Sequence, residues 1–258
     1  MLANIVETCH SLLSDYPAAQ EAQDYLNGRL SKSSQDMFQF GYFPDVANLS
    51  ALSDVVGEEI LLQQKLLYTR HIEDVQCHRQ VISSYFEQHP LVMPFCDPYG
   101  QPVGLVGRTL LSEPERLKKK IGKYKNTQDS PIFKKGNLLF GLYENKRHIL
   151  EKEFVYVVEG QFDVIKAAEI GLRNVVALGS SSMTNYQYSV ISRYVNTLFL
   201  LLDNDVAGNK GRKRIINKFG SFINIRNLYI PEPYKDIDEY ITAGRIGSAG
   251  ELSLVVKD

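Results

Sequence analysis

Six carboxylates in the second half of the chain fall where they could share a divalent cation. Glu159 closes the apolar run FVYVVE, Gly160 lets the chain turn sharply, and Asp163 returns toward the same edge. Asp203 closes the run TLFLLLD, with Asp205 two residues later and Val206-Ala207-Gly208 opening a further segment. Asp236 and Asp238 follow a fourth apolar run, FINIRNLYI, in the sequence PEPYKDID. Like charges about 4 Å apart cost roughly 1 kcal/mol at the dielectric of water and about 4 at an effective value near 20. Such a cluster makes little sense for stability and good sense as a site for Mg²⁺ or Mn²⁺. These ions take hard oxygen ligands, and Mg²⁺ keeps waters and binds alongside substrate phosphates. A lone Asp-x-Asp is more simply a helix cap or turn. Glu159, Asp163, Asp203 and Asp205 together favour the metal.

The elements that must position these acids alternate between strand and helix. FVYVVE predicts a buried strand, FDVIKAAEIG a helix closed by Gly171, NVVAL a second strand, and TNYQYSVISRY a helix capped by Thr184. TLFLLLD predicts a third strand, VAGNKGRKRIINKFG a helix, FINIRNLYI a fourth strand, and residues 238–241 a short helix. Strands apolar on both faces and alternating with helices imply a parallel sheet covered on both sides. Ligands of such a sheet bind beyond the carboxyl ends of its strands, where the acids lie. The tail, residues 244–258, has no clear pattern.

Upstream, residues 1–90 read as helical, with apolar spacing of three and four at Ile5, Leu12 and Leu13 and again at Ile60, Leu61, Leu66 and Leu67. At Leu91 the period changes. LVMPFCD and PVGLVGR predict two strands joined by Asp-Pro-Tyr-Gly-Gln, a turn with Pro second and Gly fourth. Four segments result: a helical lobe over 1–90, a basic β-hairpin subdomain over 91–150, the parallel-sheet domain over 151–243 and the tail. The fold class is α/β, α+β overall.

Charge is distributed unevenly. The chain has 258 residues with 29 Lys and Arg against 30 Asp and Glu, yet residues 1–90 hold 12 acids and 5 bases, and residues 108–135 hold 9 bases and 3 acids. Tyr124 and Phe133 are interleaved with those bases, a combination suited to phosphate contact and base stacking. A solvated loop is the plainer explanation of Lys118 to Lys120 alone. Lys210, Arg212, Lys213 and Arg214 form a second basic cluster on a predicted helix, equally readable as a solvated face.

Several classes are excluded. A 44% hydrophobic, 23% charged composition is ordinary for a globular chain. There is no basic region ahead of the first apolar residues and no apolar run approaching about 20 residues, so neither a signal peptide nor a membrane span is expected, and a cytoplasmic setting is. Cys9, Cys77 and Cys96 are far apart and read as reduced structural thiols, with no zinc expected. The five histidines include no i, i+4 pair, and no G-x-S-x-G is present, which leaves a His-based metalloprotease and an α/β-hydrolase unsupported.

EGQFDV at 159–164, LGS at 178–180 and LLLDNDVAG at 200–208 resemble the Toprim domain of bacterial-type primases, topoisomerases and some nucleases. More narrowly the chain is similar to DnaG-type replicative primases, through LGSSSMTNYQ and the late acidic YKDIDEYI. LVMPFCDPYGQPVGLVGR and KYKNTQDSPIFKKGNLLFGLYE resemble the basic subdomain ahead of Toprim in those primases, and residues 24–44 are weakly similar to the primases' N-terminal portion. The similarity spans about residues 20–242. Two family parts, an N-terminal zinc-binding domain and a C-terminal helicase-contacting domain, are not expected in this chain. YFEQHP stands where the family usually has arginines ahead of the first hairpin strand, which puts template contacts there in doubt.

The resemblance implies template-directed synthesis of short RNA primers on single-stranded DNA from ribonucleoside triphosphates. Asp203, Asp205, Asp163 and Asp236 or Asp238 would hold metals at the triphosphate, favouring 3′-hydroxyl attack and release of pyrophosphate. Glu159 would be general base or ligand. Arg108, Lys123, Tyr124, Lys125, Asn126, Lys134 and Lys135 would meet template or nucleotide, with Arg108 able to bind phosphate in bidentate fashion. A replicative helicase and a separate zinc-binding module are the further partners implied, in a phage or mobile element. The competing readings are a Toprim nuclease sharing the acids and a non-catalytic nucleic-acid-binding replication subunit. Topoisomerases are disfavoured, because the length leaves no room for their tyrosine-bearing domain.

Overall fold

The computed structural model describes residues 1–74 and 77–256, with side chains described outside 70–80 and 255–256. The chain divides into two compact units, one of residues 1–95 and 101–133, the other of residues 96–100 and 134–258.

The first unit opens with α1 (Leu2–Asp15), α2 (Gln20–Asn27), α3 (Lys32–Met37), strand β1 (Gly41–Tyr42), α4 (Ser50–Val56) and α5 (Glu58–Gln63). There follow β2 (Leu67–Asp74), β3 (Cys77–Ser84), β4 (Leu91–Cys96), β5 (Pro102–Arg108), α6 (Glu113–Lys119) and β6 (Tyr124–Asn126). The stripe Leu2, Ile5, Val6, Cys9 and Leu13 of α1 is buried at helical spacing and shares a core with Phe43, Leu52, Phe86, Val92 and Leu105. Gly41 allows β1 its close approach to α1, since a Cβ there would lie 2.7 Å from Cys9 Cβ. The sheet order is β1-β4-β5-β6, antiparallel where β1 meets β4 and where β5 meets β6.

The first 90 residues are not all helical. Residues 67–74 and 77–84 pair as the antiparallel strands β2 and β3, with Leu67 opposite Ser84. Ile60 and Leu61 lie on α5, which stops at Gln63, while Leu66 and Leu67 fall beyond it at the entry to a strand rich in aromatic and β-branched types. Both leucines are buried, at 0% and 2% exposure.

The second unit contains α7 (Leu142–Lys152), β7 (Phe154–Val158), α8 (Gln161–Glu169), β8 (Val175–Ala177), α9 (Asn185–Ile191), β9 (Thr197–Leu200), α10 (Val206–Phe219), β10 (Asn224–Tyr229), α11 (Ile237–Ala243) and β11 (Val255–Val256). The expected parallel sheet is present, with β7, β8, β9 and β10 in the order β10-β9-β7-β8. Val155 and Val157 pack with Leu198, Leu200, Leu142, Ile149, Ile191, Ile215 and Phe219, joining the sheet to α7, α9 and α10. Strand alternation turns Phe154, Tyr156 and Phe199 the other way, with ring centroids 5.0–5.6 Å apart. Thr184 caps α9 in a reciprocal capping box with Gln187. The unpatterned tail supplies β11, which pairs antiparallel with β10.

Cys9 and Cys96 are free thiols. Burial pushes Cys9 up, and burial with the charges of Glu144 and Asp97 pushes Cys96 up to about 12. The side chain of Cys77 lies outside those described. Among the described residues no helix is long and apolar enough to cross a membrane.

Candidate active site at the carboxyl edge of the parallel sheet

From β7 the chain passes through α8 to β8 on one side, then returns to β9 on the other side of β7. The switch in direction therefore falls between β7 and β9, where open parallel sheets bind ligands. Glu159 and Asp203 leave the carboxyl ends of those two strands. Their separation is set by hydrogen bonds: Leu201 N–H donates to Val157 at 2.9 Å, and Asp203 N–H donates to Glu159 Oε1 at 3.3 Å.

Three of the remaining acids are held by backbone amides. Asp163, in the first turn of α8, accepts from Gly160 N–H at 2.9 Å and from Asp238 N–H at 3.3 Å. Asp205 caps α10, accepting from Gly208 N–H at 2.8 Å, and Asp236 caps α11, accepting from Glu239 N–H at 2.8 Å. Capping and site chemistry are combined here, because an Asp cap uses only one of its two oxygens. The second oxygen of Asp205 lies 3.5 Å from Lys235 Nζ, and Asp203 Oδ2 lies 3.2 Å from the same ammonium. Gly208 is required by proximity: a Cβ there would lie 2.2 Å from Asp203 O and 2.9 Å from Glu159 Oε1.

The six acids form an electrostatic neighbourhood and not one cage. Among the described residues no group of three or more is gathered to hold an ion. Asp203 and Asp205 share a cation, Asp163 feels Asp236 and Asp203, and Asp238 joins through its backbone amide. The donors nevertheless fit a divalent ion of the Mg²⁺ kind. They are hard oxygens, two of them already converge on one positive charge, and such an ion uses one or two carboxylates while leaving positions for water and phosphate.

Protonation follows from burial. Burial and the negative charge of Asp203 push Glu159 up to about 7, against the lowering effect of the Asp203 amide. Burial, then Asp236 and Asp203, holds Asp163 well above the carboxylate range, and burial raises Asp203 despite the nearby Lys235. Asp205 is lowered, chiefly by the Gly208 amide. A carboxyl that binds its proton more tightly when folded favours the folded state at low pH, and this advantage is lost as pH rises through its folded value. For Glu159 the window runs from about pH 4.5 to about 7. Glu159→Gln keeps an acceptor for Asp203 N–H and removes the titration. In chelator it is expected to flatten the fall of stability across that window and to gain about 1 kcal/mol at pH 7, a value discounted because Glu159 is half-buried. Urea melts at pH 5 and 7 check this, and parallel curves for the two proteins would refute it.

One arginine and one lysine matter more than their sequence context shows. Arg212 is not on a solvated face: it is 1% exposed. Its guanidinium donates to Leu200 O at 3.0 Å, Leu228 O at 2.7 Å, Asn227 Oδ1 at 3.3 Å and Leu202 O, and stands 4.3 Å from the Tyr229 ring centre. It thereby ties the ends of β9 and β10 together directly beneath Asp203. The signal was available, because Arg212 lies on the apolar stripe Gly208, Gly211, Ile215, Phe219 of α10. Lys210, Lys213 and Arg214 are exposed. Lys235 was legible only as a lysine beside acids.

The expected nucleotide and template residues fall in both units. In the first, buried Arg108 donates to Tyr124 Oη at 2.6 Å and stands 5.1 and 5.2 Å from the ring centres of Tyr25 and Tyr124. Lys123 is exposed, with Nζ 5.6 Å from the Tyr124 ring centre. Lys125 donates to Tyr85 O at 2.6 Å, and Asn126 O accepts from Tyr85 Oη at 2.8 Å. In the second unit Lys134 and Lys135 precede a segment pinned to the β8–α9 loop by Thr184 Oγ1 on Gly136 O at 2.6 Å and Gln187 Nε2 on Leu138 O at 2.8 Å. Lys135 lies over Gly179, and burial lowers it.

A parallel sheet with this acid edge, in a chain that also carries an antiparallel unit whose lysines gather over residues 118–125, defines a Toprim-containing primase core. A family model described as Toprim-like matches residues 156–241, and one described as the N-terminal domain of the DNA primase catalytic core matches residues 9–146. The chain belongs to the DnaG-type DNA primase family. It is 34% identical over 242 residues to a DNA primase of Aquifex aeolicus, covering 90% of this chain and 46% of that protein. It is 31% identical over 245 residues to the DNA primase of Synechococcus elongatus, covering 92% and 34%. The chain thus spans half or less of these relatives. The Aquifex aeolicus primase structure of zinc-binding and RNA polymerase domains superposes with a TM-score of 0.75 at 29% identity, covering 98% of this chain and 60% of that one. The E. coli primase catalytic core gives 0.74 at 25%, covering 92% and 73%. Metal dependence is general to Toprim primases.

Proposed function

We propose that this chain is the polymerising core of a DNA primase, joining ribonucleotides into short RNA primers on single-stranded DNA. The observation that carries it is the pairing of Glu159 and Asp203 at the switch point, with Asp205, Asp163, Asp236 and Asp238 around them, in a chain whose other unit is of the primase type.

Asp203 and Asp205 would hold Mg²⁺ or Mn²⁺, which would supply charge neutralisation and polarisation of phosphoryl oxygens. Asp163 and Asp236 set the potential around that pair, and Asp238 fixes Asp163. Glu159, with a carboxyl near neutrality, can hold or release a proton at neutral pH through the oxygen not engaged by the Asp203 amide. Lys134 and Lys135 neutralise nucleotide phosphates, and Arg108, Lys123, Tyr124, Lys125 and Asn126 serve the template, the lysines as point charges and Tyr124 as a stacking surface. A related primase catalytic domain has been solved bound to single-stranded DNA, which supports this assignment by fold. A separate zinc-binding module and a replicative helicase are the partners this core would take, in the cytoplasm of a bacterial or phage-infected cell.

The test is RNA synthesis without a supplied primer, using labelled ribonucleotides, single-stranded DNA and Mg²⁺ or Mn²⁺. Short RNA made by the wild-type chain is the expected product. Degraded template with no RNA would instead identify a nuclease, and neither product with no Mn²⁺ binding would identify a non-catalytic subunit.

A further inference from the structure

We infer that Lys235 is the resident counter-cation of the Asp203 and Asp205 carboxylates, holding them at cation-binding spacing and yielding its place to a divalent ion. The inference rests on reading that edge as a metal site. Lys235 Nζ stands 3.2 Å from Asp203 Oδ2 and 3.5 Å from Asp205 Oδ2, so one ammonium bridges both. Its backbone is fixed: Asn204 N–H, between the two acids in sequence, donates to Lys235 O at 2.7 Å, and Lys235 N–H donates to Glu239 Oε2 at 2.8 Å. Asn204 Nδ2 adds hydrogen bonds to Ile230 O at 2.7 Å and Tyr234 O at 3.1 Å.

The loop ahead of α11 is thereby locked to the acid segment, while the lysine side chain remains 53% exposed. A locked backbone with an exposed four-carbon stem lets the charge leave without disturbing the acids. One ammonium cannot balance this edge. Asp205 and Asp203 face it, and Glu159, Asp163 and Asp236 stand near Asp203. A divalent ion answers the same carboxylates with twice the charge, and ion and ammonium compete for the same oxygens.

The probe is Mn²⁺ alone, titrated calorimetrically into the intact chelator-treated chain, comparing wild type with Lys235→Met and Lys235→Arg. Lys235→Met is expected to bind Mn²⁺ about tenfold more tightly, since it removes both a competitor and a repelling charge, while Lys235→Arg stays near wild type. Without metal, Lys235→Met is expected to melt a few degrees lower, because the carboxylates then repel unscreened, and Mn²⁺ restores the loss. Equal or weaker Mn²⁺ binding by Lys235→Met, beside a wild type that binds, overturns the inference and leaves the metal reading standing. An unchanged melting temperature in chelator overturns the holding role. Absence of Mn²⁺ binding in all three proteins overturns both.

Discussion

Asp203→Asn is expected to lower primer synthesis by at least about 10²–10³-fold while leaving the fold intact. The side chain sits where β9 meets the switch point and turns one oxygen to the bridging cation. Asparagine has the same shape and leaves the Asp203 N–H on Glu159 in place, so the edge keeps its backbone geometry. What is lost is the negative charge that attracts a divalent ion. The stability readout separates this from a structural effect. Burial raises the Asp203 carboxyl above its ordinary value, so the ionised form is costly when folded. Neutralising it is expected to hold or raise the melting temperature in chelator. Product gels at saturating nucleotide with parallel thermal melts check both. Synthesis within tenfold of wild type would remove Asp203 from the chemistry, and loss of synthesis together with unfolding would make its role structural.

Arg212→Met is expected to cost about 3–5 kcal/mol of stability, although methionine matches much of the volume. Four acceptors, three of them main-chain carbonyls of the β9 and β10 ends, receive hydrogen bonds from this one guanidinium. Each buried acceptor left without a donor costs about 1–3 kcal/mol. Exchanging a buried ion pair for apolar residues is often harmless, but here the acceptors would remain. Lysine is not expected to rescue, because an ammonium cannot reproduce a planar fork on carbonyls from two strands. Urea unfolding of wild type, Arg212→Met and Arg212→Lys measures this, and a loss below about 1 kcal/mol would show the carbonyls satisfied another way. Metal affinity should fall with stability, since the same carbonyls lead into Asp203.

The two effects separate what local sequence can express from what it cannot. The alternation of apolar strands and helices after residue 154 was legible because each element states its own period, with Thr184 and Asp205 marking helix starts. The acids were legible because a strand that ends in a carboxylate delivers it to one edge of a parallel sheet. The pairing of β2 with β3 was obscured by leucines at Leu66 and Leu67 that fit two periods at once, and the pairing of β11 with β10 depends on a partner about 27 residues away that leaves no local mark.

By itself, then, the sequence determined the class of fold, the primase family and the carboxylates at the strand ends, since all of these rest on periodicity and short motifs. Tertiary structure alone decided how charge is shared among them. It put Lys235 between Asp203 and Asp205, brought the Asp238 amide onto Asp163, and buried Arg212 under the strand ends. The reason is physical: the protonation of a carboxylate and the worth of a cation depend on burial and on neighbours within a few ångströms, and those neighbours come from segments that only folding brings together.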